Sequence, residues 1–300
     1  MPNADSWLAR LARLKVDRAR GNPAPHKPLL MLVVLELAEQ GLLPPDDLPL
    51  TPELAFRFCT YASVCVHRRN QRPDLRYPFY HLTSDGVWTA LTAEGGVATD
   101  RRQARVVRLE PDLVTLARDP VWRDQARRVL IASYFPPEER LALYALLGMP
   151  VPSAAEIARD ADYPDPERAE RTGREARFRL NVVSAYGYTC ALTRYRVTTI
   201  AGSSIVDAAH IHEFASSRNN DPRNGLALSK NAHWLFDQGL WSLSDDLRVL
   251  VAAEAFAEDG PETFRLSPFQ GRPIHLPPDE RLWPDPRHLA WHRRHRFQGA

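Results

Sequence analysis

Two histidines and an asparagine recur at fixed intervals in the second half of the chain, and this spacing limits its fold more than any other property. His210 ends the run Ile205-Val-Asp-Ala-Ala-His210, Asn224 follows 14 residues later, and His233 lies 9 residues beyond it. Asp237 is four residues after His233. Because side chains four apart share a helix face, we expect His233 and Asp237 to lie on one face of a short helix.

These submotifs, taken in order, resemble the HNH nuclease family. The matching branch has the pattern A-A-H-I, then D-P-x-N-G-L-x-L, then H-x-L-F-D-x-G, which corresponds here to residues 208–211, 221–228 and 233–239. The resemblance covers about 60 residues, one fifth of the chain. It implies a ββα-metal fold for this part, with His210 at the end of a strand. It also implies hydrolysis of DNA phosphodiester bonds with a divalent metal.

The resemblance also implies roles for single residues. A histidine, whose pKa lies near neutrality, suits a general base that activates water, and we assign this role to His210. Asn224 would hold the loop and orient the ring of His210, and Asn224-Gly225 would form a turn with a positive φ. His233 completes the catalytic set, and together with Asp237 it presents an imidazole and a carboxylate that can share a divalent cation.

The metal site departs from the family pattern at one position. Many HNH nucleases carry an acid or a histidine immediately before the base, and Ala209 stands there in this chain. Asp207, three residues before His210, or His212, two residues after it, would supply a further ligand, and the sequence does not choose between them. We expect one catalytic Mg²⁺ or Mn²⁺. We expect no structural zinc, because Cys190 stands alone in this half.

Cysteine number and hydropathy exclude several other classes of protein. The chain has three cysteines, an odd number without C-x-x-C spacing, which argues against a disulfide framework. No apolar run reaches the roughly 18 residues of a membrane span, and the first residues do not form a secretion signal. We therefore expect a cytoplasmic protein that does not bind membranes.

Arginines are clustered although the formal net charge is only +2. Residues 57–76 contain five arginines against one acid, and residues 101–108 contain four without an acid. The tail from Trp291 reads Trp-His-Arg-Arg-His-Arg-Phe. Clustered arginines beside aromatic residues are typical of nucleic-acid binding, so we expect double-stranded DNA as the partner.

The length of 300 residues fits two domains in an α+β chain. We predict a mainly helical DNA-reading domain at 1–150 with a small β-hairpin, a linker rich in proline and acids at 151–166, and a ββα-metal nuclease domain at 167–300. Predicted helices cover residues 5–20, 28–41, 51–66, 137–147 and 167–186. The hairpin is predicted from Tyr80 to Leu91, around Asp85-Gly86.

Two segments of the first half resemble a sulfur-binding domain. They are Ala24-Pro-His26-Lys27-Pro-Leu-Leu and Arg76-Tyr77-Pro78-Phe79-Tyr80-His81-Leu. This domain precedes HNH nucleases in modification-dependent (type IV) restriction enzymes, and it recognises phosphorothioate DNA, in which sulfur replaces one non-bridging phosphate oxygen. The resemblance implies a cup formed by Tyr77, Pro78 and His81. Its contacts to the DNA backbone and neighbouring bases would come from His26, Lys27, Arg68, Arg101, Arg102 and Arg105.

An apolar cup would favour sulfur for a physical reason. Sulfur is larger and less strongly hydrated than oxygen, so an ordinary phosphate oxygen would lose hydration there without gaining hydrogen bonds. Alternatively, the Tyr-Pro-Phe-Tyr segment has no binding role and only leads into a packed β-hairpin.

Three functions are consistent with the sequence. The first is a type IV restriction endonuclease that cuts phosphorothioate-modified DNA. The second is an HNH nuclease whose first domain reads another mark, such as a modified cytosine, or none. The third is a DNA-binding protein with a decayed nuclease site, which Ala209 suggests. Because one HNH site cuts one strand, we expect a homodimer if both strands are cut.

Overall fold

The computed structural model describes residues 2–18, 22–65, 73–150 and 166–299. Its contacts divide the chain into two compact units, 1–177 with 199–203, and 178–198 with 204–300. Residues 151–165 of the predicted linker lie outside the described residues. The division between the units falls within a long helix, Pro166–Ala185, which follows the predicted linker.

The first unit is mainly helical and contains one small sheet. Its helices are α1 (Ala4–Ala12), α2 (His26–Glu39), α3 (Pro52–Ser63), α4 (Arg76–His81), α5 (Pro111–Arg118), α6 (Pro120–Tyr134) and α7 (Pro137–Leu147). Its strands are β1 (Asp47–Pro49), β2 (Trp88–Leu91) and β3 (Val106–Leu109). The strand order is β1-β3-β2, and both pairings are antiparallel.

Helix α2 forms the centre of the first unit. Every side chain from Pro28 to Leu37 is buried, and α2 packs against α3, α4, α5 and α6. A helix that is apolar on all faces is stable only when it is surrounded, as the sequence predicted for this segment. The one acid in the buried stretch from Pro28 to Leu37 is Glu36, which pairs with Arg57 of α3 at 3.0 Å. Burial raises the pKa of Glu36, and Arg57 offsets part of this effect.

The predicted helices near residues 51 and 137 are confirmed, whereas the first helix is shorter than predicted. The Thr51 hydroxyl accepts a hydrogen bond from the backbone N–H of Leu54, and thus caps α3. Helix α1 ends at Ala12 because side chains elsewhere in the unit bind the next backbone N–H groups. Leu14 N–H donates to the Tyr134 hydroxyl at 2.6 Å, and Lys15 N–H donates to Asp85 at 2.7 Å.

The predicted hairpin around Asp85-Gly86 is wrong. Residues 76–81 are helical, a 3₁₀ turn follows at Leu82–Asp85, and Gly86 ends this turn with a φ of 66°. The following segment is a strand, β2, but its partner is β3. The Asp-Gly pair thus ends a helical turn, and the Asp85 carboxylate accepts hydrogen bonds from Lys15 and Lys27.

The second unit has a ββα arrangement at its centre. Its elements are the second half of α8 (Pro166–Ala185), β4 (Val206–His210), α9 (Phe214–Ser217), β5 (Gly225–Ser229), α10 (Lys230–Asp237), β6 (Trp241–Leu243), β7 (Val249–Val251) and α11 (Pro286–His295). Strands β4 and β5 pair antiparallel, as do β6 and β7, and α10 packs on β4, β5 and β6. The predicted fold class and the predicted basic helix α8 are confirmed.

Among the described residues, none of the helices combines the length and the apolarity that a membrane span requires.

Candidate active site

His210 is the last residue of β4. The antiparallel register places it opposite Gly225, the first residue of β5. Its neighbour Ala209 is fully buried, and the loop of residues 211–224 joins the two strands. Backbone pairing therefore fixes the position of His210 at the end of the sheet, where the loop begins.

Neighbouring side chains fix the orientation of the His210 ring. Phe178 of α8 stacks on it, with ring centroids 3.9 Å apart and planes 9° apart. Phe214 lies at 5.8 Å with a tilt of 47°. The Oδ1 atom of Asn220 is 2.9 Å from Nε2 of the imidazole, within hydrogen-bond distance. An imidazole held in this way has the fixed geometry that proton transfer requires.

Asn224 is fully buried and binds backbone. Its Oδ1 accepts a hydrogen bond from the N–H of His212 at 2.8 Å. Its Nδ2 donates to the carbonyl oxygens of His212 at 2.9 Å and Asn219 at 3.0 Å. We expected Asn224 to fix the ring of His210, but both of its donors are used on backbone carbonyls, and Asn220 makes the ring contact instead. Asn224 thus closes the loop of residues 211–224, because its side chain joins the backbone at His212 and Asn219 to the start of β5.

The predicted positive φ at Gly225 is also wrong. Its φ is −136°, which is extended backbone. The glycine is required by close packing, since an added Cβ would lie 2.5 Å from Cγ2 of Val182 and 2.9 Å from Cζ of Phe178. The absence of a side chain at Gly225 lets α8 approach β5 closely enough for Phe178 to reach His210.

We expect Gly225→Ala to lower the cleavage rate about 10- to 100-fold, because the new Cβ displaces Phe178 from the His210 ring. The measurement is kcat on a DNA duplex, below the melting temperature of the variant. Gly96→Ala is the matched control, since its Cβ would meet only Oγ1 of Thr92 at 3.7 Å. Equal rates for the wild type and both variants would contradict the prediction.

His233 and Asp237 lie on one face of α10, as the four-residue spacing predicted. Nε2 of His233 is 3.4 Å from Oδ2 of Asp237, and the two side chains are 30% and 57% exposed. Burial raises the pKa of Asp237 above its ordinary value, and His233 offsets part of the effect. The pair is accessible from solvent on a helix that packs on the strand carrying His210.

The two residues proposed as further metal ligands have protein partners. The Asp207 carboxylate accepts a hydrogen bond from Nε of Arg179 at 2.7 Å. The His212 ring stacks on Trp291 with centroids 4.0 Å apart. In the part of the chain that the structure describes, no three His, Cys, Asp or Glu side chains form a group able to hold a metal. The predicted ligand set of His233, Asp237 and Asp207 is therefore not assembled.

HNH nucleases generally use divalent metal ions. The Asp237 carboxylate fits such an ion, because Mg²⁺ keeps several waters and is usually bound by one or two carboxylates together with phosphate oxygens. The imidazole of His233 lies beside this carboxylate as a second donor. Mn²⁺ accepts the same carboxylate and water ligands. The pair thus offers one carboxylate and one imidazole to a divalent cation.

Helix α11 supports the loop that follows His210. Trp291 stacks on His212, and Nε2 of His288 is 3.2 Å from the Asn219 amide nitrogen. Burial lowers the pKa of both His212 and His288 below the ordinary value, which favours the uncharged form of both rings. The tail that was predicted as a basic DNA-binding segment therefore also has a structural role.

In the first unit, Tyr77, His81 and Arg101 form an exposed group, here named the Tyr77 cluster. The rings of Tyr77 and His81 are 4.6 Å apart, and the Arg101 guanidinium carbon lies 5.2 Å from the Tyr77 ring centroid. Tyr77 is 50% exposed. Burial, together with Lys27 and Arg101, lowers the pKa of His81. The cluster thus presents a phenol ring and an imidazole beside a cation.

Other residues predicted to bind DNA are placed differently. Pro78 belongs to α4, the helix that carries Tyr77 and His81, and it is buried. Lys27 is paired with Asp85 at 2.6 Å, with its side chain only 11% exposed. The His26 ring lies 6.3 Å from that of Phe58. Arg102 is exposed, and its backbone carbonyl oxygen accepts a hydrogen bond from the Arg105 side chain. Arg68 lies outside the described residues.

The sequence did not indicate Asn220 or Phe178 as functional residues. Asn220 belongs to the polar run Asn219-Asn220-Asp221, which resembles any surface loop. Phe178 lies in a predicted helix, 32 residues before His210, and its sequence context indicates only an ordinary core residue. Their contacts with the ring depend on tertiary packing.

Comparison with known proteins supports the nuclease interpretation. A family model described as HNH endonuclease matches residues 190–244, and this segment is an HNH endonuclease domain. No curated protein matches the chain.

Two solved structures are similar to parts of the chain. A modification-dependent TagI restriction endonuclease has 22% identity and a TM-score of 0.30, over 40% of this chain and 37% of its own length. The sulfur-binding domain of SprMcrA complexed with phosphorothioated DNA has 21% identity and a TM-score of 0.36, over 55% of this chain and 96% of its own length. The chain thus spans little more than a third of the length of the first.

Proposed function

We propose that this protein, with its HNH endonuclease domain at residues 190–244, is a metal-dependent endonuclease that hydrolyses DNA phosphodiester bonds. The observation that carries the proposal is the arrangement around β4 and β5. His210 is held at the end of β4 by Phe178 and Asn220, and α10 packs on the same two strands with the His233–Asp237 pair.

The chemistry follows from these positions. A water oxygen forms a bond to phosphorus, the water proton passes to the imidazole of His210, and the ester bond to the leaving sugar oxygen breaks. The leaving oxygen takes a proton from solvent. His233 and Asp237 would hold a divalent cation, which would stabilise the charge on the phosphate and the leaving oxygen. Asn224 holds the loop and Asn220 holds the His210 ring, and neither side chain takes part in bond making or bond breaking.

Plasmid nicking tests this function. Purified protein is stripped with EDTA and then incubated with supercoiled plasmid, with Mg²⁺, Mn²⁺ or no added metal. We expect open-circular product only with added metal. Nicking of the same rate without metal would contradict the metal-dependent mechanism.

For the DNA target, we propose phosphorothioate-modified DNA, read by the Tyr77 cluster. The polarisable Tyr77 and His81 rings would contact sulfur, and Arg101 would pair with the remaining phosphate charge. Burial lowers the pKa of His81 and thus favours its uncharged ring, which suits contact with a weakly hydrated atom better than a charged ring would. Since Pro78 is buried, the proposed contact surface is formed by the two rings without the proline.

We expect the full-length protein to bind a duplex with one phosphorothioate about 2–4 kcal/mol more tightly than the matched oxygen duplex, within the usual range for specific over non-specific binding. Tyr77→Ala should remove this preference and leave the weak, salt-sensitive binding. Gel shifts in EDTA measure both affinities without cleavage. Arg102→Ala, which removes an exposed arginine outside the Tyr77 cluster, should weaken binding to both duplexes alike. Equal wild-type affinity for the two duplexes would contradict the phosphorothioate proposal and leave the nuclease proposal intact.

The same gel shift separates the alternative targets. A protein that reads a modified cytosine would bind both of these duplexes weakly and a cytosine-modified duplex tightly. A protein that reads no mark would bind all three alike.

A further inference from the structure

We propose that Asn220 is a positioning residue for His210 that selects the tautomer of its ring. The Asn220 amide oxygen accepts a hydrogen bond from Nε2–H of His210, so the lone pair that takes the proton from water is on Nδ1. This inference rests on the proposed nuclease function and deepens it by naming the basic nitrogen.

The loop places Asn220 by contacts on both sides of it. The carbonyl oxygen of Asn219 accepts from Asn224, and the Asn219 side chain accepts from the N–H of Asp221 at 2.8 Å. The Asp221 side chain in turn accepts from the N–H of Arg223 at 2.8 Å. The backbone before and after Asn220 is therefore fixed, and its side chain is directed to the ring.

The side chain of Asn220 differs from its neighbours in what it binds. Asn219, Asp221 and Asn224 use side-chain atoms to hold backbone groups, and the Asn219 amide nitrogen also contacts the His288 ring. The hydrogen bond of the Asn220 amide is to the His210 ring, and its buried Nδ2 has no hydrogen-bond partner among the described residues. Removal of this amide thus affects the ring while the backbone bonds of the loop are retained.

Phe178 and Asn220 restrict the ring in complementary ways. Stacking on Phe178 fixes the plane of the imidazole, with only 9° between the two rings. The terminal torsion of histidine is roughly two-fold, so a ring in a fixed plane still has two orientations, related by a half-turn. An acceptor at Nε2 selects one orientation and one tautomer. Because the tautomer is set by the hydrogen bond at one nitrogen, it decides which nitrogen is the base.

The tautomer can be measured directly by NMR. Full-length protein with ¹⁵N-labelled histidine is studied without metal, at a pH well above the ordinary imidazole pKa of about 6.5. The His210 signals are assigned by their loss in His210→Gln. Long-range ¹H–¹⁵N spectra should show His210 of the wild type with its proton on Nε2. Asn220→Ala should give a mixture of both tautomers, and Asn220→Asp, which keeps an acceptor oxygen, should restore the wild-type pattern.

Cleavage kinetics of the same variants give the second readout. We expect Asn220→Ala to lower kcat about 10- to 100-fold with KM nearly unchanged, and Asn220→Asp to recover most of the loss. Asn231→Ala, an exposed asparagine on α10, is the matched control with wild-type kinetics. Melting temperatures of all variants identify any loss that comes from unfolding.

Two results would overturn the proposal for Asn220. One is a wild-type proton on Nδ1. The other is an Asn220→Ala variant with the wild-type tautomer and kcat within about threefold of the wild type. If the wild type cuts no DNA, the nuclease proposal fails, and the NMR comparison still decides whether Asn220 sets the tautomer.

Discussion

His210→Ala is expected to lower the rate of DNA cleavage about 100- to 10,000-fold, the usual contribution of a general base, while DNA affinity stays unchanged. The substitution removes the group that accepts the water proton and leaves the His233–Asp237 pair and the Tyr77 cluster in place. Single-turnover cleavage of a labelled duplex with Mg²⁺ or Mn²⁺ measures the rate, and gel shifts in EDTA measure the affinity.

The control for His210→Ala is His295→Ala, which removes another exposed imidazole of the same unit. It should cut within about threefold of the wild type, because this ring does not contact His210. A His210→Ala rate within about tenfold of the wild type would show that His210 is not the general base.

Asn224→Ala is expected to have the second-largest effect, on both stability and activity. It removes three hydrogen bonds at a fully buried position. The His212 N–H and the Asn219 carbonyl lose this partner, whereas the His212 carbonyl still accepts from the Ser217 hydroxyl. Each buried group left unsatisfied costs about 1–3 kcal/mol, so the nuclease unit should lose about 3 kcal/mol or more. Cleavage should fall at least about 100-fold, since a 1 Å displacement of the catalytic groups has an effect of this size.

Denaturant unfolding and single-turnover cleavage measure the two effects of Asn224→Ala separately. Asn224→Asp adds a sharper comparison, because its carboxylate can accept from the N–H of His212 but cannot donate to the two carbonyl oxygens. It should therefore be nearly as impaired as the alanine variant. An Asn224→Ala variant with wild-type stability and activity would contradict the loop-closing role.

The sequence predicted the parts of the site that depend on local spacing. His233 and Asp237 share a helix face because residues four apart lie on the same side of an α-helix. Helix α2 was identified because a segment that is apolar on all faces must be buried. The position of His210 at the end of a strand followed from the motif resemblance, and β4 ends there.

The sequence did not predict features that depend on packing between distant segments. Gly225 was explained by backbone freedom, whereas its actual neighbours, Phe178 and Val182, come from α8. The Asp85-Gly86 pair was interpreted as a hairpin turn, but the Asp85 carboxylate binds Lys15 and Lys27, and the turn ends a helical segment. In both cases a local pattern permits several structures, and contacts with residues far away in the chain select one of them.

The most direct test of the nuclease assignment is the cleavage of a defined duplex in ¹⁸O-labelled water. The protein, the duplex and Mg²⁺ or Mn²⁺ are incubated together, and the ends formed are analysed by mass spectrometry. We expect cut strands that carry one ¹⁸O atom on the new terminal phosphate, with none formed in EDTA or by His210→Ala. A duplex that is bound but remains intact with every divalent metal would contradict the account and identify a DNA-binding protein with a decayed nuclease site.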